Sequence, residues 1–447
     1  MGADKEIIVA IELGSSTIRG IAGQKGHDGN MKILAKETIE MKECVRRGII
    51  FNIDKTSRTI RLIKESLEEK LDVIIKRAYV GLSGQSLHTV SNKIVHNLAE
   101  YVKITSNHTD SLLDENHGTE YPKRKILETI PQEYLVDGTR TNEPEGIQGY
   151  QIEGNFLNII ALSTLEDNIR KCCREAGLEV AELLISPLEL AKHLIPDSEK
   201  RAGCALVDMG ADTTTVSVYC DNILRHLVVI PLGGRNITKD ICSVCTVENN
   251  EAENLKKKQT IAYVSFDSDP EDNKQSVALS NDRVYSQTGL QDIVSARTEE
   301  IIRNVGQQID NSGWNDKLLS GIILTGGASK HDGMLDAYRN ILHIDKIKIA
   351  CALAESTTAN AGVVANDDIM LNTLIALLLS GTQNCVSEKF DNTEDAINEP
   401  ILDEPNDAEP TAGAEKEEEE EPRERKPKKN WWQSLKKGIE GMLGDEE

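Results

Sequence analysis

Val9-Ala10-Ile11-Glu12-Leu13-Gly14-Ser15-Ser16-Thr17 returns 196 residues later as Ala205-Leu206-Val207-Asp208-Met209-Gly210-Ala211-Asp212-Thr213. Each stretch is an apolar strand ending in one carboxylate, then a glycine and small, mostly hydroxyl-bearing residues. Such a turn lets backbone N–H groups approach a phosphate closely, while the carboxylate can hold a hydrated metal ion. One copy is a weak signal. Two copies, at the head of each half of the chain, predict a duplicated α/β domain closing on a nucleotide from both sides.

A third glycine turn, Leu324-Thr325-Gly326-Gly327-Ala328-Ser329, places its glycines where bulk would obstruct a flat ligand, and suits an adenosine wall. The nucleotide-binding set is therefore Gly14, Ser15, Ser16 and Thr17 on the first turn, Gly210, Ala211, Asp212, Thr213 and Thr214 on the second, and Gly326, Gly327 and Ala328 on the third. Glu253 and Lys256 add polar contacts to ribose or base. Glu12 and Asp208 are the candidate magnesium ligands, acting through water because that ion keeps much of its hydration shell. Asp208 is the one candidate for a direct catalytic role.

Composition narrows the class. The net charge is −23, and residues 388–424 alone hold 16 Asp/Glu against Lys389, Lys416 and Arg423, a net −13. So acidic a body is a poor binder of nucleic-acid backbone, which demands clustered cations. The start of the chain shows no basic, apolar export signal, and nine scattered cysteines read as reduced thiols in the cytosol. Cys242 and Cys245 share a helical spacing and read as small core residues. The longest apolar stretch, Ile369 to Leu379, is too short to span a bilayer and predicts a buried helix.

The pattern of strands and helices predicts mixed sheets flanked by helices in each half. Ile60, Ile63, Leu67 and Leu71 recur on one face of a helix from about Asp54 to Leu71. Shorter strands and polar turns between Ser83 and Leu157 mark an inserted subdomain, and residues 248–290 read as a second, irregular insert. Residues 1–82, 158–202 and 352–387 form one domain carrying insert 83–157. Residues 203–239 and 296–351 form the other, carrying subdomain 240–295. An acidic, self-repelling linker covers 388–429.

The last segment, 430–447, is amphipathic. Trp431, Trp432, Leu435, Ile439, Met442 and Leu443 form one stripe on a helix, with Lys436 and Lys437 at its flank. Paired Trp rings favour the headgroup boundary and lysines favour anionic lipid, so the segment predicts a reversible membrane anchor.

The three turns, in this order, resemble the phosphate-1, phosphate-2 and adenosine motifs of the actin/Hsp70/sugar-kinase superfamily. Within it the chain resembles the FtsA family of bacterial cell-division actin homologues. The resemblance runs from about residue 6 to 385. Val80-Gly81-Leu82-Ser83-Gly84 is similar to the family's entry to its inserted subdomain, and Ile130-Pro131-Gln132-Glu133-Tyr134 with Asp137 to its internal signature. Leu224-Arg225-His226 and Val229-Ile230-Pro231-Leu232-Gly233-Gly234 resemble the strand leading out of phosphate-2. The resemblance implies an actin-like fold with an ATP cleft, and self-association into actin-like filaments. It also implies binding of the FtsZ C-terminal tail through the second insert, recruitment of later division proteins through the first, and a peripheral place on the cytoplasmic side of the membrane at the septum.

Two departures bear on turnover. Asp212 puts an extra carboxylate beside the phosphates, where relatives carry more glycine, and it would repel them unless offset. Ser186 stands before Pro187, where hydrolytic relatives carry a Glu that orients the attacking water. The expectation is ATP binding with at most weak hydrolysis. The alternatives are a pilus-assembly ATPase similar to PilM and a small-molecule kinase on the same fold. The former is expected to lack this tail, and the latter would need a base and a sugar pocket in the cleft.

Overall fold

The computed structural model describes residues 6–26, 30–40, 44–264, 276–279, 283–353, 357–359 and 368–388. The acidic linker beyond residue 388 and the membrane segment with Trp431, Trp432, Leu435, Lys436, Lys437, Ile439, Met442 and Leu443 lie outside the described residues. So do residues 27–29 of the turn following the second strand.

The first half opens with β1 (Ile7–Leu13), β2 (Thr17–Lys25) and β3 (Met31–Glu40), then α1 (Ile53–Leu71) and β4 (Arg77–Leu82). The first insert is β5 (His88–Lys103), α2 (Ser106–His117), β6 (Arg124–Val136) and β7 (Gln148–Leu162). The chain returns through α3 (Ser163–Glu175), β8 (Glu179–Ile185), α4 (Ser186–Leu194) and the short α5 (Asp197–Ala202). The second half runs β9 (Cys204–Met209), β10 (Thr214–Cys220), β11 (Ile223–Ile230), α6 (Gly234–Cys245), α7 (Asn249–Gln259), α8 (Gln287–Asn311), β12 (Ile322–Thr325), α9 (Met334–Leu342) and β13 (Ile347–Ile349). Finally α10 (Asn372–Ser380) packs back on α4 and β1.

The two halves share one topology. In the first, the strand order is β8-β4-β1-β2-β3; in the second it is β13-β12-β9-β10-β11. The carboxylate strand lies central in each, antiparallel to the next strand and parallel to one formed later in the chain. The internal repeat is thus a repeat of fold. Strand β9 is apolar except for Asp208 near its end, because both its faces are covered. Cys204 and Leu206 enter the first half's core, while Ala205, Val207 and Met209 enter the second's.

Helix α1 begins where expected, within a residue. Asn52 caps it, its side chain accepting the Lys55 amide at 2.9 Å, and Ile60, Ile63 and Leu67 are buried. The apolar stretch near residue 370 is a short 3-10 turn followed by α10, whose Leu374 to Leu378 are fully buried. Cys242 and Cys245 sit together in α6, with Cys245 buried.

Two features depart from the sequence expectation. Residues 248–290 are not irregular throughout: α7 forms there, burying only Ala252, Leu255 and Lys256, too narrow a stripe to stand out in so polar a run. The strand expected from Asn158 is the end of β7, which runs unbroken from the insert into the first half. The insert's strands also extend the second half's sheet. β5 meets β11 at His88 and Val228, and Gln132 donates to the Leu224 carbonyl at 3.0 Å while accepting from Arg225 at 3.1 Å. Two of the motifs quoted above, 130–134 and 224–226, therefore touch.

Candidate nucleotide site

The β1–β2 hairpin sets Glu12 directly opposite Arg19, whose Nη1 lies 3.4 Å from Glu12 Oε2 and donates to the Met370 carbonyl at 2.6 Å. Gly14, Ser15 and Ser16 form the turn, with Thr17 opening β2. In the β9–β10 hairpin, Gly210 donates to the Thr213 carbonyl at 2.8 Å, closing a tight loop through Ala211 and Asp212. The first amides of α6 brace that loop. Gly234 donates to the Gly210 carbonyl at 3.0 Å and Arg235 to the Ala211 carbonyl at 2.7 Å. A Cβ on Gly233 would lie 2.7 Å from both carbonyl oxygens, so only glycine permits this approach.

The third turn joins the second. Thr325 pairs with Asp208 across parallel strands, and Gly326 follows with φ 86°. A Cβ there would lie 2.2 Å from Asp208 Oδ1. Ser329 donates to the Gly326 carbonyl at 2.7 Å, and Asn372 of α10 bonds Thr325 Oγ1 at 3.2 Å. Met370 lies beside Gly327. All three turns therefore converge on one cleft.

Electrostatics mark the same place. Burial and the neighbouring Glu12 charge push Asp208 up from an ordinary 3.8 to about 7, with Arg19 opposing. Burial also raises Glu12, against the pull of Arg19. Two carboxylates facing each other across the cleft favour a cation between them. Among the described residues, no group of three or more His, Cys, Asp or Glu gathers around one point. The protein thus offers a divalent ion two hard oxygen donors, and suits one that keeps water or phosphate in its remaining positions.

Other expected ligands are already engaged. Thr214 is fully buried, and its hydroxyl donates to the Leu232 carbonyl at 2.9 Å. It braces the second turn from behind. Lys256 donates to the Gly234 carbonyl, Thr238 Oγ1 and Glu253 Oε2, at 3.2, 2.9 and 2.7 Å. Those bonds use all three ammonium protons. Burial alone would raise the Glu253 pKa, but hydrogen bonds from Lys256 and Thr238 bring it down to about 2. This pair ties α7 to α6 under the cleft floor. Asp212, expected to confront phosphates, instead pairs with Arg235. Arg19, Arg235 and the Arg47–Gly48 loop were not legible as site residues, because none lies in the three glycine turns that carry the nucleotide pattern.

Comparison with known proteins bears on the family and the fold. The family model "Cell division protein FtsA" matches residues 205–402, and the model for the SHS2 domain inserted in FtsA matches residues 84–160. The cell division protein FtsA of Porphyromonas gingivalis is 32% identical over 346 residues, covering 75% of this chain and 71% of the relative. The chain belongs to the FtsA family. The FtsA of Pseudomonas aeruginosa is 26% identical over 381 residues, covering 85% of this chain and 90% of its own. Among solved structures, a PilM–PilN type IV pilus biogenesis complex matches with TM-score 0.58 at 14% identity, covering 83% of this chain and 97% of its own, a likeness of fold alone. As an FtsA, the chain is an actin-like cell-division protein. No helix among the described residues is long and apolar enough to cross a membrane.

Proposed function

We propose that this FtsA binds ATP with magnesium in the cleft. It tethers the FtsZ ring to the inner face of the cytoplasmic membrane, self-associates, and recruits later division proteins through its first insert. The observation that carries the nucleotide reading is the facing pair Glu12 and Asp208, set between two matching glycine turns and raised together in pKa. Backbone amides of 14–17 and 211–213 would hold the phosphates, with the Gly210 amide spent on closing its own turn, and Gly326 to Ala328 would hold the adenosine. Magnesium would supply charge neutralisation at the phosphates, with Glu12 and Asp208 holding its water shell.

Turnover is weak in this account. Ser186 is buried at the start of α4 and has no carboxylate with which to orient water. The segment 430–447 supplies the lipid contact and the second insert the FtsZ contact, as the family resemblance implies. The test is co-sedimentation of the full chain with anionic vesicles and FtsZ, with and without ATP. FtsZ should pellet with vesicles only when the full chain is present, and deleting 430–447 should leave both in the supernatant. Unchanged pelleting after that deletion, or vesicle binding that never brings FtsZ down, would contradict the proposal.

A further inference from the structure

Asp212 and Arg235 are joined to the first half of the molecule as well as to each other. Arg235 is the second residue of α6, and its guanidinium reaches back over the phosphate-2 turn. Nη1 lies 2.9 Å from Asp212 Oδ2 and 2.8 Å from Oδ1, while Nη2 donates to the Ser15 carbonyl at 3.0 Å, on the phosphate-1 turn. From the other side, the Arg47 amide donates to Asp212 Oδ2 at 3.3 Å and the Gly48 amide to Ser15 Oγ at 3.1 Å. These contacts close a ring through Ser15, Arg235, Asp212 and the Arg47–Gly48 loop, crossing the cleft twice.

The loop is shaped for this. Arg47 and Gly48 have φ of 51° and 74°, the left-handed pair that closes the two-residue hairpin between Val45–Arg46 and Ile49–Ile50. A non-glycine residue in that conformation is strained and persists where its surroundings over-determine it. Here they do: the Arg47 carbonyl accepts the Gln85 amide at 3.0 Å, and a Cβ on Gly48 would lie 2.5 Å from the Gly84 Cα. Asp212 is buried at 9% exposure, and its carboxylate is matched by one guanidinium and one amide. Paired in this way, it adds no net charge beside the phosphates.

We propose that Asp212 and Arg235 form an interdomain latch that keeps the phosphate-1 and phosphate-2 turns in register, making them positioning residues for the triphosphate. The inference rests on the nucleotide reading above. It follows that the latch matters most for a ligand long enough to touch both turns. Ser15 Oγ accepts from Gly48, so its own proton stays available for a phosphate oxygen.

The test uses the full chain and equilibrium binding of ATP and of AMP, with magnesium, for the parent, Arg235→Gln and Asp212→Asn. Each variant removes one charge from the pair, and either serves if the other fails to fold. ATP should bind about tenfold more weakly to each variant, the scale of one lost charge-assisted pair. AMP affinity should stay within about twofold, since one phosphate spans one turn at most. Hydrogen exchange at the Arg47 and Gly48 amides, without nucleotide, should quicken in both variants. A damaged α6 would instead weaken both nucleotides alike. Equal losses for ATP and AMP, or unchanged ATP binding in both variants, would overturn the latch. A parent chain that binds neither nucleotide would overturn the nucleotide reading itself.

Discussion

Asp208→Asn should make the nucleotide-free, metal-free protein more stable at pH 8, and less so at pH 5.5. The carboxyl titrates near 7 in the fold, against an ordinary 3.8. The folded state therefore holds a proton that the unfolded chain has released, and stability falls as pH rises from about 4 to about 7. Keeping Asp208 ionised at pH 8 costs roughly 4 kcal/mol if the whole difference is felt, and about 2 kcal/mol once cleft water screens it. The smaller figure is the better guide, because both carboxylates retain some exposure. Asparagine mimics the protonated acid in shape and removes repulsion from Glu12. For a body of this size, about 2 kcal/mol corresponds to roughly 2–3 °C in melting temperature. The assay is thermal unfolding with a chelator present, parent against variant, at the two pH values. A variant no more stable than the parent at pH 8, or a gain that fails to shrink at pH 5.5, would refute the electrostatic account. The same variant should bind magnesium-ATP more weakly, separating the site's function from its stability.

Gly326→Ala should destabilise the fold by at least about 2 kcal/mol and abolish ATP binding, because the new methyl meets Asp208 Oδ1 in a left-handed backbone; calorimetry and nucleotide titration check both. Lys256→Met should lower stability by about 1–2 kcal/mol, because Glu253 loses its most buried partner while Thr238 and Lys257 remain, a loss that urea unfolding would show partly recovering in Lys256→Met/Glu253→Gln. Gln132→Ala removes two bonds between the insert and β11 and should cost about 1–2 kcal/mol in melting experiments while leaving ATP affinity unchanged.

The hairpins carrying Glu12 and Asp208 were legible because a strand ending in a carboxylate and a glycine leaves a local pattern. Helices α1 and α10 were legible for the same reason: Ile60, Ile63 and Leu67 recur at helical spacing, and the stretch around Leu374 to Leu378 is uniformly apolar. Helix α7 was missed because its buried face includes Lys256, a residue that reads as solvent-exposed until Glu253 and Thr238 are seen to satisfy it. The repeat of topology needed strand order, which local periodicity does not carry. Asp212 was seen as a departure, but its partner was not: Arg235 is 23 residues away in sequence, and Arg47 is 165 away. Pairings of that separation are set by tertiary packing. The insert's attachment through Gln132 belongs to the same class, since its motif was visible but what it touches was not.

The central claim is that the two repeated turns close on one ATP. A crystal structure of the full chain with magnesium and a non-hydrolysable ATP analogue tests it most directly. The account predicts the phosphates between Gly14–Thr17 and Gly210–Thr213, the adenosine against Gly326–Ala328, and a magnesium ion whose waters reach Glu12 and Asp208. An analogue bound elsewhere, or a cleft left empty at saturating analogue, would contradict it.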